Sequence, residues 1–268
     1  MKDIKYIKEY YNKYYTDKLK SLFDKTLILQ AFKPYEDDVK QGKWLSRQMQ
    51  IKGNEKILEC GCGVGGVMKQ LALLHPKADI NGINISDGQV KIARKILKDF
   101  DNCFVSIQDF MNTNYKDSTF DIVYFCESMG YGNFKKVVKE AVRILKPNGK
   151  LYINEIVVKC DKNNLTNKKL NKLNHFIDSW FYNVYDINTI LKKIEEVGGL
   201  ELVNKERFIK PSIHWINAVQ NSELKKYHNA KLSNIPPIRG ADFLYKKRRK
   251  QDEHRWKNQR IARKCRKV

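Results

Sequence analysis

The chain lacks any run of 18 consecutive apolar residues, so the sequence offers no membrane-spanning helix. Its first fifteen residues, MKDIKYIKEYYNKYY, hold no apolar stretch and no small-residue cleavage site, so no secretory leader is expected. Cysteine is sparse, at six residues, and none falls in a C-x-x-C pair or in a Cys/His cluster at zinc spacing. No metal site is therefore expected, and the cysteines read as free thiols in a reducing, cytoplasmic setting. No internal repeat is visible, which argues against a solenoid. Acidic residues are scarce: 30 Asp+Glu face 52 Lys+Arg over 268 residues, a formal net charge of +22. That imbalance points toward an anionic partner, which leaves nucleic acid, a phosphorylated small molecule and an acidic membrane surface open. At 42% hydrophobic residues, the chain has enough apolar material for a packed core, so wholesale disorder is excluded.

The charge is unevenly placed. Residues 246–268 hold twelve basic side chains and two acidic ones, leaving a mildly basic body ahead of a strongly basic tail. Trp256 among the basic residues gives the tail the look of a nucleic-acid-binding arm. A solubilising tail has the same composition, and both readings stay open.

Residues 1–50 are aromatic and charged, with no strand-like run, and read as an N-terminal helical cover. Tyr6, Tyr10 and Tyr14 share one face of a helix by their spacing, and a second helical stretch runs from Asp37 to Gln50 beyond the break at Pro34. From Ile57 the rhythm changes. Short apolar runs are expected as strands at Ile57–Cys60, Asp79–Ile85, Cys103–Ile107, Asp121–Cys126, Lys150–Val158 and Leu200–Phe208. Amphipathic stretches between most of them carry good caps: Ser86 before Asp87–Phe100 and Asp186 before Ile187–Val197. This alternation indicates βαβ units and a parallel sheet covered on both faces. The expected layout is a doubly wound α/β domain over 51–210, a substrate lid at 161–185, a helical extension over 211–245 and the tail from 246.

The first strand ends in Gly61-Cys62-Gly63-Val64-Gly65-Gly66. Alone, this loop fits a dinucleotide site or a plain tight turn. Glu59, just before it, would repel a pyrophosphate and suits a ligand with an ammonium group. Three further motifs follow in order: Asp109 after the third strand, F-D-I-V-Y-F-C-E-S at 120–128, and R-I-L-K-P-N-G-K-L at 143–151. Together these resemble the class I S-adenosylmethionine-dependent methyltransferases over roughly residues 55–158, with a weaker continuation to about 208. The resemblance implies an α/β, doubly wound, mostly parallel Rossmann-like methyltransferase sheet. It implies S-adenosylmethionine as cofactor, with Glu59 on the methionine amino group. Gly61, Gly63 and Gly65 would pass beneath the cofactor, with Asp109 on the adenine amino group and Phe110 beside the ring.

One departure narrows the resemblance. The family's acid at the end of the second strand is replaced here by Asn84, in G-I-N-I-S-D-G-Q at 82–89. Asn84, Ile85 and Gln89 in this pattern resemble the sterol, tocopherol, prenyl-diphosphate and cyclopropane-fatty-acid C-methyltransferases. The alternative is that Asn84 only ends a strand while Asp79 or Asp87 binds the ribose.

Carbon methylation of an alkene leaves a carbocation, which needs a carboxylate or aromatic faces nearby. Glu127, at the end of the fourth strand, is the catalytic candidate, unless its carboxylate serves to bond a backbone amide. Tyr131 would supply an aromatic wall or a hydroxyl. Trp180, Tyr182 and Tyr185 in the lid, with His175, are candidate substrate contacts, although aromatics at such spacing also make cores. His175 and His214 are candidate bases or packed histidines. The expected function is S-adenosylmethionine-dependent methylation of a small, isoprenoid-like or lipidic acceptor, anionic if the lysine-rich body attracts it. The alternative is an RNA methyltransferase docked by its tail, which lacks the N/D-P-P-Y/W motif of amino-methylating enzymes.

Overall fold

Apolar runs too short for helices, spaced by capped amphipathic segments, build one sheet. A computed structural model of the chain describes residues 4–15, 26–158, 162–180, 182–208 and 238–249. Strands β1 (Lys56–Cys60), β2 (Asp79–Asn84), β3 (Cys103–Ile107), β4 (Phe120–Cys126) and β5 (Leu145–Val158) pair in parallel, in the order β3-β2-β1-β4-β5. A two-residue strand, β6 (Tyr185–Asp186), pairs with the end of β5. β7 (Leu200–Phe208) forms the far edge.

Helices Gly66–Leu74, Asp87–Ile96, Phe134–Ile144 and Ile187–Val197 connect the strands and stack on the sheet. Their starts follow the expected chemistry. Ser86 Oγ accepts the Gln89 amide, Asn133 Oδ1 the Lys136 amide and Asp186 Oδ1 the Thr189 amide. One core packs Leu58, Phe120, Phe125, Leu151 and Phe243 against the helix Phe134–Ile144. A second packs Ile57, Met68, Tyr124 and Tyr152 against Asp38–Met49 and Gly66–Leu74. Each fully buried Leu or Phe contributes roughly 1.5–3 kcal/mol.

The C-terminal expectation is corrected. Part of the segment read as a helical extension is a strand, β8 (Ile238–Lys247), inserted antiparallel between β5 and β7. Phe243 and Tyr245 are buried in one core and Leu244 in the other, one on each face of the sheet. Prolines 236 and 237 precede it, outside the described residues, as does the rest of the expected extension, 211–237. The sheet therefore extends beyond residue 210, and the basic tail begins later than expected. Lys246 and Lys247 belong to β8, and Arg248 N–H donates to Gly199 O. Residues 250–268 lie outside the described residues.

At the N-terminus, Tyr6 and Ile4 are exposed and Ile7 is buried on the helix Ile4–Glu9, and Tyr11 lies in the π-helical turn Tyr10–Tyr15. The second helix, Asp38–Met49, matches expectation, with Asp37 Oδ1 accepting the Lys40 amide. Cys60, Cys62, Cys103 and Cys126 are free thiols. Among the described residues, no helix is long and apolar enough to cross a membrane.

Candidate active site

The sheet's connectivity reverses between β1 and β4, and a crevice at the carboxyl ends of the strands follows from that reversal. One cavity opens there, and it gathers the glycine loop with Glu59, Asn84, Ile85, Gln89, Asp109 and Phe110. Every cofactor residue expected from the sequence except Gly65 lines it. Gly65 stands one step behind, starting the helix Gly66–Leu74 with φ at 83°. Gly63 has φ at 54°, lines the cavity, and has no other atom within 4 Å of where a side chain would begin. The backbone is left bare toward a ligand.

Glu59 ends β1 inside the sheet. It is buried, and its Oε2 accepts the Tyr124 hydroxyl at 2.8 Å. Burial pushes its pKa up to about 8 against the smaller opposing pull of that hydrogen bond. A carboxylate so desolvated gains most from a cationic partner, which is what an ammonium group supplies.

Asn84 and Gln89 are buried and bonded to each other: Asn84 Nδ2 donates to Gln89 Oε1 at 2.8 Å. Asn84 Oδ1 also accepts the Ser86 amide at 3.1 Å. The two acids considered in its place are elsewhere. Asp79 pairs with Lys56 at the opposite end of the strands, and Asp87 pairs with Lys8. Asp109 Oδ1 accepts the Met111 amide at 2.8 Å, which fixes its orientation at the cavity wall. These donors and acceptors suit an ammonium, a diol and an adenine amino group in turn.

The other side of the cavity is a roof. Ile4, Ile7, Tyr11 and the segment Leu27–Ala31 cross over it. A side chain at Gly66 would begin 2.1 Å from Leu27 O, so the roof's backbone rests directly on the first turn of that helix. Asn12 Oδ1 accepts from Ser86 Oγ at 2.6 Å and from the Gly88 amide at 3.2 Å. Within the roof, Asp38 accepts from Thr26 Oγ1 and the Leu27 amide, and the buried Lys33 ammonium donates to Ile28 O.

Glu127 follows β4 with a left-handed backbone, φ 50°, which costs about 1–3 kcal/mol for a residue with a side chain. Its two oxygens accept the Ala31 amide at 2.6 Å and the Phe32 amide at 2.7 Å. The carboxylate thus fastens the roof, the second of the two roles open to it, while still lining the cavity. Burial raises its pKa to about 8, opposed by those two amides.

Tyr131 lines the same wall. Its hydroxyl bonds that of Tyr11, and its ring meets Tyr11 and Tyr182 edge-on at 5.4 and 4.7 Å between centroids. Tyr182 also lines the cavity and is buried. Tyr185 does not reach it; that ring packs edge-on against Phe134 beneath the Lys193 ammonium. His175 and Trp180 belong to the helix Asn167–Trp180, and their side chains lie outside the described residues, as does His214.

Sequence reasoning missed Glu155. It is buried on β5, accepting the Ser128 and Met129 amides on one oxygen and the Tyr182 hydroxyl on the other. The available signal was a lone acid within an otherwise apolar buried strand, Y-I-N-E-I-V-V. Tyr11 and Asn12 were missed as well, and nothing in their local pattern marks them as site residues.

A family model described as a methyltransferase domain matches residues 51–213. A sterol 4-C-methyltransferase of Caenorhabditis elegans is 30% identical over 138 residues, covering 50% of this chain and 40% of that protein. A 24-methylenesterol C-methyltransferase of Arabidopsis thaliana is 28% identical over 191 residues, covering 68% of this chain and 52% of that protein. The chain spans about half or less of the length of these curated relatives. Among solved structures, the [4+2]-cyclase SpnF aligns with a TM-score of 0.70 at 17% identity, over 90% of this chain and 95% of that one. Geranyl diphosphate C-methyltransferase from Streptomyces coelicolor aligns with a TM-score of 0.62 at 14% identity, over 78% of this chain and 75% of that one. Both share the fold seen here. The family match spans the glycine loop, the strand motifs and the cavity floor they build, and the chain belongs to the methyltransferase domain family.

Proposed function

We propose that the protein transfers a methyl group from S-adenosylmethionine to a carbon of a small, isoprenoid-like acceptor. One observation carries this reading: a single cavity joins Glu59, Asn84, Gln89 and Asp109 on one side to a wall of tyrosines and aliphatic residues on the other. The matched sterol C-methyltransferases support the same acceptor class.

The cofactor, when bound, supplies an electrophilic methyl on a sulfonium. The chain's own residues do the rest. Glu59 takes the ammonium, and the Asn84–Gln89 pair turns its amides toward the ribose hydroxyls. Asp109 accepts from the adenine amino group with Phe110 beside the ring. The roof of Ile4, Ile7 and Leu27–Ala31 would exclude water and cover the acceptor. An alkene attacking that methyl becomes a carbocation. The Tyr131 and Tyr182 rings would face it, with the Glu127 oxygens at the same wall.

The lining favours this over the RNA reading. It presents the carboxyl groups of Glu59, Asp109 and Glu127 and, among the described residues, no Lys or Arg side chain. Such a wall suits a neutral acceptor and offers no cation to a phosphate backbone. The test incubates the purified protein with methyl-labelled S-adenosylmethionine and three acceptor sets: sterols and isoprenoid alcohols, prenyl diphosphates, and RNA. Label on a carbon of the first set, located by mass spectrometry and NMR, is the expected result. Label on RNA, or no cofactor binding by calorimetry, overturns the proposal.

A further inference from the structure

Carbon methylation of an alkene ends with loss of a proton, and Glu127 is poorly placed to take it. Both of its oxygens already hold amides of the roof, and protonation there would weaken the fastening. Another acid stands behind Tyr182 on the same wall, holding the amides of Ser128 and Met129 that follow Glu127. We propose that Tyr182 and Glu155 form the proton-accepting pair of the acceptor side, with Tyr182 the residue that touches the substrate and Glu155 its buried positioning partner. The inference rests on the proposed carbon methylation.

The geometry is that of a built site. The Tyr182 hydroxyl donates to Glu155 Oε2, which leaves its oxygen lone pairs as the acceptor. Tyr182 is held on every side. A side chain at Gly130 would begin 2.5 Å from Tyr182 Cε1, so the ring lies flush on that glycine. The neighbouring Asn183 donates twice to Gly130 O, from its backbone and from Nδ2, each at 2.9 Å. Tyr131 packs edge-on from the cavity side. Glu155 is fixed just as firmly, by the amides of Ser128, Met129 and Ile156. These donors and Tyr182 are all neutral, so no cation competes for the proton-accepting charge. Burial lifts the Glu155 carboxyl to about 7, where a carboxylate can both accept a proton and release it at neutral pH.

The step balances. The C–H bond beside the cationic carbon breaks, and its electron pair closes the new C=C bond. That proton bonds to the Tyr182 oxygen as the Tyr182 proton moves to Glu155 Oε2. The products are a neutral alkene, a neutral tyrosine and a protonated Glu155. No tyrosinate forms and no oxidant is needed. Glu155 returns its proton to solvent before the next turnover.

The test compares the full-length protein with Tyr182→Phe, which keeps the ring on Gly130 and against Tyr131, and with Glu155→Gln. The readouts are cofactor affinity by calorimetry, kcat and KM for an isoprenoid acceptor, and the double-bond position in the product. The expected result for Tyr182→Phe is a 100- to 1,000-fold lower kcat. KM and cofactor affinity stay within about twofold, and products show water capture or a displaced double bond. Glu155→Gln follows in the same direction. Wild-type kcat and product from Tyr182→Phe overturn the pair's role while leaving methyl transfer intact. A wild-type protein that binds the cofactor but methylates no isoprenoid acceptor overturns the parent reading, and the pair's role with it.

Discussion

The two sides of the cavity are assembled by different means. On the cofactor side, contacts are made within one turn or across neighbouring parallel strands. Asn84 bonds Gln89 five residues on, Asp109 bonds Met111 two residues on, and Glu59 bonds Tyr124 on the adjacent strand. On the acceptor side, contacts join segments far apart in the chain. Tyr11 meets Tyr131 across 120 residues, and Glu127 holds Ala31 across 96. The first side is set by the sheet, whose cores are buried and hard to deform. The second is completed by the roof, which is held by the buried Ile28, Ala31 and Phe32 and by the hydrogen bonds to Glu127. The proposed cofactor contacts therefore rest on the sheet, and the cover of the cavity rests on the roof.

The strongest way to break this comparison is at Glu59. Replacing it with Gln is expected to weaken S-adenosylmethionine binding about 10- to 100-fold, the usual worth of a charge-assisted hydrogen bond. The pH dependence sharpens the test. Glu59 titrates near 8 when buried without a cation, so at pH 7 it is largely protonated. An ammonium partner lowers that pKa, so binding at pH 7 releases a proton, and affinity rises with pH and levels off above 8. Calorimetry in buffers of different ionisation enthalpy measures the release, which Glu59→Gln should abolish. Unchanged proton release in that variant would move the ammonium site elsewhere.

Glu127→Gln tests the other side and should have a smaller effect. A glutamine has one oxygen, so one of the Ala31 and Phe32 amides loses its acceptor, at about 1–2 kcal/mol. Exchange at those two amides should quicken roughly tenfold, with cofactor affinity changing only a few-fold. Stability adds a second readout. Burial raises the Glu127 pKa from 4.5 to about 8 on folding. The folded state then holds the proton more tightly. That stabilisation is complete below about pH 4.5 and is lost as pH rises through 8. Glu59 and Glu155 share this sign, so Glu127→Gln should flatten part of the slope of melting temperature against pH. An undiminished slope would mean that Glu127 is solvated in the folded protein, with its roof contacts open.

The same division explains what could be read in advance. β3, β7 and the helix Ile187–Val197 have the boundaries their residue patterns predict, because apolar period and capping residues are local properties. The residues proposed to hold the cofactor could be named for the same reason: they sit at strand ends and in the turns that follow them, at spacings the chain itself records. Glu155 was not, because its meaning depends on Tyr182 arriving from a helix and turn 27 residues later. Tyr185 misled for the complementary reason. Its aromatic character fits a substrate wall and a core contact equally, and packing against Phe134 decides between them. β8 was hidden by its neighbours. Lys246 and Lys247 continue a basic run in the sequence, yet their backbone completes a strand whose centre, Phe243 to Tyr245, is buried.

That last point changes how the basic tail should be tested, and it carries the smallest expected effect. A cut before residue 246 would remove two paired residues of β8. It would also remove the Lys247 bond to Leu145 O and the Arg248 bond to Gly199 O, loosening the sheet and imitating a loss of function. A cut after Arg249 removes residues 250–268, with eight basic and two acidic side chains, and leaves the sheet whole. Since the described residues that line the cavity all precede 183, the shorter cut should leave cofactor affinity and kcat within about twofold and melting temperature within one to two degrees of the parent. Weak, salt-sensitive binding to RNA or anionic vesicles, if the parent shows it, should fall with the cut. A drop in kcat on a small neutral acceptor after this cut would show instead that the tail takes part in the acceptor side. The acceptor side would then consist of sheet, roof and tail.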